Sequence, residues 1–194
     1  MTATKDDGSI EATPQLVTVE TLRALIRHGG FDRLPGAVVP ELEPHAEALS
    51  IAAGFAGCTT PQRLAMLLGQ SLWECAGLTA LVELDGPQCD RYDGGRRYRG
   101  RGYLHLTGLP NYRHVGAQLG EDLVATPDKA AEQKLLGPIL AIYWADAGIN
   151  RLVDLDDDFG VTRAINGPAA TIESSYHGRR MRLRDHALRL ISPA

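Results

Sequence analysis

Apolar side chains recur every three to four positions in several segments of this chain, which is the spacing of amphipathic helices. The first such segment is 19–28, where Thr18 is placed to cap the helix and Gly29 to end it. Further helices are predicted over residues 45–56, 61–74, 111–119, 130–147, 159–165 and 174–190. The pattern therefore predicts a mainly α fold with about seven helices and no internal repeat.

The helix that begins at Pro61 has the clearest start signal, because Thr60 is a favourable cap and proline suits the first turn. Its apolar stripe consists of Leu64, Leu67, Leu68, Leu72 and Cys75. Glu74 lies at the edge of this stripe in the last turn, so we expect it to be partly removed from water. That environment suits a general acid, although a lone glutamate at a helix end is more often simply solvated.

Glycine and charged residues dominate 85–102, where no helix is predicted. Residues 103–107 then alternate, which predicts a short strand beside the helices. On this interpretation Tyr103, His105 and Thr107 share one face, and Leu104 and Leu106 are buried on the other.

A second carboxylate, Glu83, follows Glu74 by nine residues and lies in an alternating segment, 81–85. Two carboxylates from different backbone elements are the minimum equipment for acid/base hydrolysis of a glycosidic bond. Asp85 would share a face with Glu83 and competes for the role of base on geometry alone. The alternative is that Glu83 is only a charge on an edge strand.

The bulk composition excludes several classes of protein. With 194 residues, of which 44% are hydrophobic, the chain can bury one core. Its net charge of −4 is unlike that of a polycationic nucleic-acid binder. It has no apolar run near the roughly 18 residues of a membrane span, so no membrane insertion is expected. The three cysteines are expected to be reduced, and no spacing indicates a metal or cofactor.

Polar residues 1–16 are predicted to be a flexible leader, and 17–194 a single domain. The leader has no hydrophobic region of a secretory signal, so the chain is expected to be made in a cytoplasm. Asp154–Asp158 lacks the spacing of a calcium loop and is better explained as a helix cap.

Two arginine-rich segments need an explanation. The first, 91–101, interleaves with tyrosines and would suit single-stranded nucleic acid, but the chain is acidic and the run short, so we expect no nucleic-acid partner. Within it, Arg101 is expected to fix the turn or to pair with a cleft carboxylate. The second, 179–189, is predicted to be a solvated helix face, which would also be attracted to an anionic cell wall.

Four segments occur in an order that is similar to glycoside hydrolase family 19, which includes chitinases and the endolysins of bacteriophages. Residues 60–74 (TPQRLAMLLGQSLWE) resemble the helix that carries the family's catalytic acid. Residues 98–112 (YRGRGYLHLTGLPNY) resemble its most specific signature. Residues 119–128 and 161–167 resemble later motifs, and the resemblance extends over most of the chain, from about 18 to 184.

The resemblance implies a lysozyme-like helical fold with a small β-hairpin region beside an active-site cleft. It assigns Glu74 as general acid, Glu83 as the base of the endolysin branch, and Thr107 as the hydroxyl that holds the attacking water. The substrate-binding residues are then expected to be Arg101, Tyr103, His105, Asn111 and Asn166. The implied mechanism is inversion, with the two carboxyl groups about 6.5–9.5 Å apart.

Several positions differ from the family pattern. Trp73 lies where the family usually has histidine, and His105 replaces an expected glutamine. The arginine expected after Asn166 has three candidates: Arg179, Arg180 and Arg182.

The hypothesis that follows is a phage endolysin, or its catalytic domain, that cleaves the glycan strand of peptidoglycan. Such an enzyme would need help, such as a holin, to reach the cell wall after synthesis in the host cytoplasm. A wall-binding module in a longer parent protein is compatible with this hypothesis. The alternatives are a chitinase of the same family, a lytic transglycosylase, and a glycan-binding protein that has lost catalysis.

Overall fold

The computed structural model describes residues 16–192, which form eight α-helices. These are α1 (Val19–Gly29), α2 (Glu43–Phe55), α3 (Pro61–Glu74), α4 (Leu109–Leu119), α5 (Gln133–Asp146), α6 (Ile149–Asp154), α7 (Asp158–Asn166) and α8 (His177–Ile191). Single 3₁₀ turns occur at Phe31–Arg33, Pro87–Arg91, Gly95–Tyr98 and Pro127–Ala131. The prediction of a mainly α fold is confirmed.

The predicted helix starts are confirmed where a side chain caps the helix. Thr18 accepts a hydrogen bond from the backbone N–H of Thr21, and Thr60 accepts one from Arg63. Three details were predicted incorrectly. The sequence pattern did not indicate α6. Helix α5 begins at Gln133 rather than at 130, because the backbone of Glu132 is extended (φ −67°, ψ 137°). Helix α8 begins at His177 rather than at 174, because Tyr176 has a positive φ angle of 52°.

Helix α3 lies at the centre of the core, and its residues from Leu64 to Leu72 are all buried. It packs closely on α8, because a Cβ atom at Gly69 would lie only 2.8 Å from the backbone nitrogen of Arg184. Gly69 thus faces Arg184, whereas Glu74, five residues later in α3, contacts Arg180, four residues earlier in α8. The two helices are therefore antiparallel, and the end of α3 meets the start of α8.

The predicted strand over 103–107 is not formed. Residues 102–105 are a turn, and Arg101 forms isolated antiparallel bridges with Val82 and Leu106. The chain reverses here because Gly102 and His105 both have positive φ angles, of 82° and 50°. The predicted alternation is consequently wrong for Tyr103, which is buried together with Leu104 and Leu106.

The remaining predictions concern the chain termini, the thiols and the acidic segment. Residues 1–15, nearly all of the predicted leader, lie outside the described residues, and Leu16 packs against the core. The three cysteines are free and buried.

Asp157 caps α7 by accepting a hydrogen bond of 2.8 Å from the N–H of Gly160, as the cap interpretation predicted. Over residues 16–192, no helix is long and apolar enough to cross a membrane.

Candidate active site

Glu74 is the last residue of α3, and its carboxylate is held by side chains from two other helices. Its Oε1 accepts a hydrogen bond of 2.5 Å from Nη1 of Arg180 and one of 3.1 Å from Nδ2 of Asn166. Among residues 16–192, its Oε2 accepts no hydrogen bond. The side chain is 17% exposed, so one carboxyl oxygen is fixed and the other is available to a ligand.

Arg180, which holds Oε1 of Glu74, is itself only 3% exposed. Its guanidinium also donates to Oε1 of Gln70 (2.9 Å), Oδ1 of Asn166 (3.1 Å) and the carbonyl of Ser175 (2.7 Å). Burial lowers the pKa of Arg180, and the charge of Glu74 opposes that shift. The prediction that the C-terminal arginines form a solvated face is therefore wrong at this position. Of the three candidate arginines, Arg180 is the one that contacts Glu74.

Glu83 is half-buried and has both carboxylate oxygens hydrogen-bonded. Oε1 accepts from the hydroxyl of Tyr92 (3.0 Å), and Oε2 accepts from the backbone N–H of Gly100 (2.9 Å). Burial and the carboxylate of Glu83 raise the pKa of Tyr92 to about 12, which keeps its hydroxyl a donor. A Cβ at Gly100 would lie 2.7 Å from Cβ of His105 and 3.2 Å from Oε2 of Glu83, so glycine permits this close approach.

The competing base, Asp85, has different surroundings. It is exposed and forms an ion pair of 3.3 Å with Arg96, which also binds Asp90. Glu83 is instead fixed by a phenol and a backbone amide, which leave its charge without a cationic partner among residues 16–192. The geometry thus favours Glu83 over Asp85 as the candidate base.

Thr107 and Asn111 lie together at the start of α4. Nδ2 of Asn111 donates a hydrogen bond of 2.9 Å to the carbonyl of Thr107. The Thr107 hydroxyl makes no hydrogen bond to the described part of the chain. Thr107 is half-exposed and Asn111 exposed, so both can meet solvent or a ligand.

The other predicted substrate-binding residues hold the scaffold together. Arg101, only 2% exposed, donates to Oδ1 of Asp128 (2.6 Å) and to the hydroxyl of Tyr112 (2.7 Å). Tyr103, only 1% exposed, shares a hydrogen bond of 2.8 Å with Nδ1 of His45. These two side chains have almost no surface to offer a substrate. The contacts of Arg101 are those of the alternative expectation, in which it fixes the turn and pairs with a carboxylate. His105 is half-buried, and its Nε2 lies 2.9 Å from the carbonyl oxygen of Ala80.

Sequence reasoning missed Tyr92 as the partner of Glu83, and Gln70 as a second acceptor for the Arg180 side chain that holds Glu74. Gln70 lies four residues before Glu74, on the same helical face, and that spacing is the signal that could have identified it. No comparable spacing connects Tyr92 with Glu83. Within residues 16–192, no three His, Cys, Asp or Glu side chains are grouped so that they could hold a metal ion.

Comparisons with known proteins bear on the fold of the chain. No protein-family model matches the chain. It is 28% identical over 148 residues to the acidic 27 kDa endochitinase of Solanum lycopersicum, a match that covers 70% of this chain and 59% of that protein. The chain thus spans about three-fifths of the length of that relative.

Solved structures show the fold. Chitinase C from Streptomyces griseus superposes with a TM-score of 0.70 at 17% identity, over 93% of this chain and 95% of that one. A bacterial family 19 chitinase superposes with a TM-score of 0.69 at 19% identity, over 91% and 95% of the two chains. The chain has the mainly α, lysozyme-like fold of family 19 chitinases, as the sequence predicted.

Proposed function

We propose that this protein is a glycoside hydrolase that cleaves a polymer of N-acetylated amino sugars with inversion. One observation carries the proposal: in the fold of family 19 chitinases, Glu74 ends a buried helix with one oxygen held by Arg180 and Asn166. A carboxyl group fixed in this way, with its second oxygen open, is placed to give a proton to a bound glycan.

The proposed reaction uses the two glutamates in different roles. Glu74 protonates the leaving glycosidic oxygen while the bond from that oxygen to the anomeric carbon breaks. Water, held by Thr107, attacks the same carbon from the opposite face and loses its proton to Glu83. Each step of acid or base assistance is worth about 10²–10⁴-fold in rate.

Two substrates fit this proposal. The names of the relatives favour chitin, because both the tomato protein and the structural neighbours are called chitinases. The nine-residue spacing of Glu74 and Glu83 resembles the endolysin branch and favours peptidoglycan. On the second reading, the protein is a phage endolysin that acts on the cell wall after its release from the host cytoplasm.

One digestion experiment tests the proposal. Chitin oligosaccharides and purified peptidoglycan strands are each incubated with the protein, and the products are analysed by mass spectrometry and by NMR of the new anomeric centre. We expect products with reducing ends that first appear as the α-anomer. Anhydro ends would indicate a lytic transglycosylase instead, and absence of cleavage of both polymers would contradict the proposal.

A further inference from the structure

A pocket lies between α1, α3 and the start of α8, and neither Glu74 nor Glu83 lines it. It has a volume of about 260 Å³ and is lined by His28, Gly29, Trp73, Arg179, Arg182 and Leu183. Arg179 and Arg182 are exposed, whereas Leu183 forms part of the core. The lining therefore combines an apolar floor with cationic walls, and none of its six residues is acidic.

The two arginines have no carboxylate partner among residues 16–192, in contrast to several other arginines of the chain. Arg63, Arg96, Arg101 and Arg184 all form ion pairs. Arg179 is instead held by aromatic rings, because its guanidinium carbon lies 6.0 Å from the centre of Trp73 and 5.6 Å from that of Tyr176. Stacking orients a guanidinium while its N–H groups remain free to bind an anion.

This pocket adjoins the proposed catalytic centre through two pairs of neighbouring residues. Trp73 precedes Glu74 at the end of α3, and Arg179 precedes Arg180 at the start of α8. Tyr176, which is 55% exposed, lies beside both Trp73 and Arg179. Exposed aromatic surface and two guanidinium groups without a carboxylate partner among residues 16–192 therefore lie at the same ends of α3 and α8 as the Glu74–Arg180 pair.

We propose that Arg179 and Arg182 form a subsite for a carboxylate carried by the glycan, with Trp73 and Tyr176 as its aromatic wall. The inference rests on the proposed function and selects its substrate class, namely an acidic amino-sugar polymer. Chitin is neutral. Peptidoglycan contains muramic acid, whose lactyl group carries a carboxylate or a peptide that itself ends in carboxylates, and guanidinium groups bind carboxylates with two parallel hydrogen bonds.

The test is an NMR titration of the full chain with two ligands that differ only in charge. One is the disaccharide of N-acetylglucosamine and N-acetylmuramic acid, and the other is the same disaccharide with its carboxylate converted to an amide. The chain has two tryptophans, so the indole N–H of Trp73 reports the pocket. That of Trp144, which is buried and bonded to Asn150, is the internal control.

We expect the acid to bind about fivefold more tightly than the amide, which is the upper range for an exposed ion pair. Its binding should shift the Trp73 indole and leave that of Trp144 unmoved. The preference should disappear in Arg179→Gln/Arg182→Gln. The matched control, Arg23→Gln/Arg151→Gln, removes two exposed charges elsewhere and should keep the preference.

Equal affinity for the two ligands in the unmodified protein would overturn the inference. A preference that persists in Arg179→Gln/Arg182→Gln would also overturn it. Cleavage of longer strands, measured on the same samples, tests the hydrolase separately. A preference for the acid without any cleavage would therefore support the subsite and refute the proposed catalysis.

Discussion

Arg180 donates a hydrogen bond of 2.5 Å to Oε1 of Glu74, although the two residues lie 106 positions apart in the sequence. Arg180 is almost fully buried, and its two terminal nitrogens reach acceptors on α3 and at the end of α7. The pair therefore connects the orientation of the proposed general acid with the packing of α3 against α8. Arg180 is therefore proposed as a positioning residue, and Glu74 as the catalytic residue.

Replacement of Arg180 by methionine should impair both stability and turnover. It removes the charged donor of Glu74 and the donor of Gln70, and removal of one partner of a buried ion pair costs about 3 kcal/mol of unfolding free energy. Turnover per folded molecule should fall at least tenfold, because the carboxyl group is no longer held in place. Denaturant unfolding and turnover below the unfolding transition measure the two effects.

A purely structural role for Arg180 would change stability alone. The turnover per folded molecule distinguishes the two cases, because a purely structural role leaves it unchanged. We expect it to fall in Arg180→Met and not in Arg151→Met, which changes an exposed arginine of α6. An unchanged turnover per folded molecule in Arg180→Met would contradict the positioning role.

Thr107 tests the assignment of the attacking water. Thr107→Val keeps the volume of the side chain and removes the hydroxyl, so turnover should fall tenfold or more while glycan binding is retained. Thr107→Ser restores a hydroxyl and should recover most of the rate. If Thr107→Val is less stable but fully active per folded molecule, the hydroxyl has a structural role only.

Most of the helices, including the helix that ends at Glu74, could be predicted because their signals are local. Thr18 and Thr60 cap their helices by accepting hydrogen bonds from residues only three positions ahead, so both partners lie in the same short stretch of sequence. Glu74 at the edge of an apolar stripe likewise follows from helical geometry. The strand predicted over 103–107 was wrong because Gly102 and His105 have positive φ angles, which turn the chain despite the alternating sequence pattern.

The residues that hold the two glutamates could not be predicted from the sequence, because they come from distant or non-periodic segments. Arg180 lies in a helix with several other arginines, so helical periodicity does not distinguish it from a solvated residue. Its burial depends on the close contact of Gly69 with α8, a relationship between distant segments. Tyr92 reaches Glu83 from a turn with no periodic pattern, and only the folded chain reveals that contact.

His45 predicts a pH dependence of stability. It is buried against Tyr103, and burial lowers its pKa from the ordinary value of 6.5. The unfolded chain therefore binds a proton more readily than the folded one, so stability is complete above pH 6.5 and declines as the pH falls below it. The slope is at most about 1.4 kcal/mol per pH unit for one group.

Denaturant unfolding between pH 5 and pH 8 measures this slope, and His45→Asn should reduce it. Burial, and after it the charges of His28 and Arg189, lowers the pKa of His186. His186 therefore also makes stability decline as the pH falls. His186→Gln therefore isolates the second contribution. An unchanged slope in His45→Asn would show that the imidazole of His45 is not the titrating group.

The central claim is that Glu74 supplies the proton for cleavage, and the turnover of Glu74→Gln tests it most directly. The amide keeps the shape of the side chain but has no acidic proton for the leaving oxygen. Glu47→Gln, at an exposed position in the middle of α2, is the matched control. On whichever glycan the unmodified protein cleaves, the account predicts that Glu47→Gln keeps full turnover and that Glu74→Gln loses about 10²–10⁴-fold. A folded Glu74→Gln variant that retains more than about a tenth of the turnover would contradict the assignment of Glu74 as the general acid.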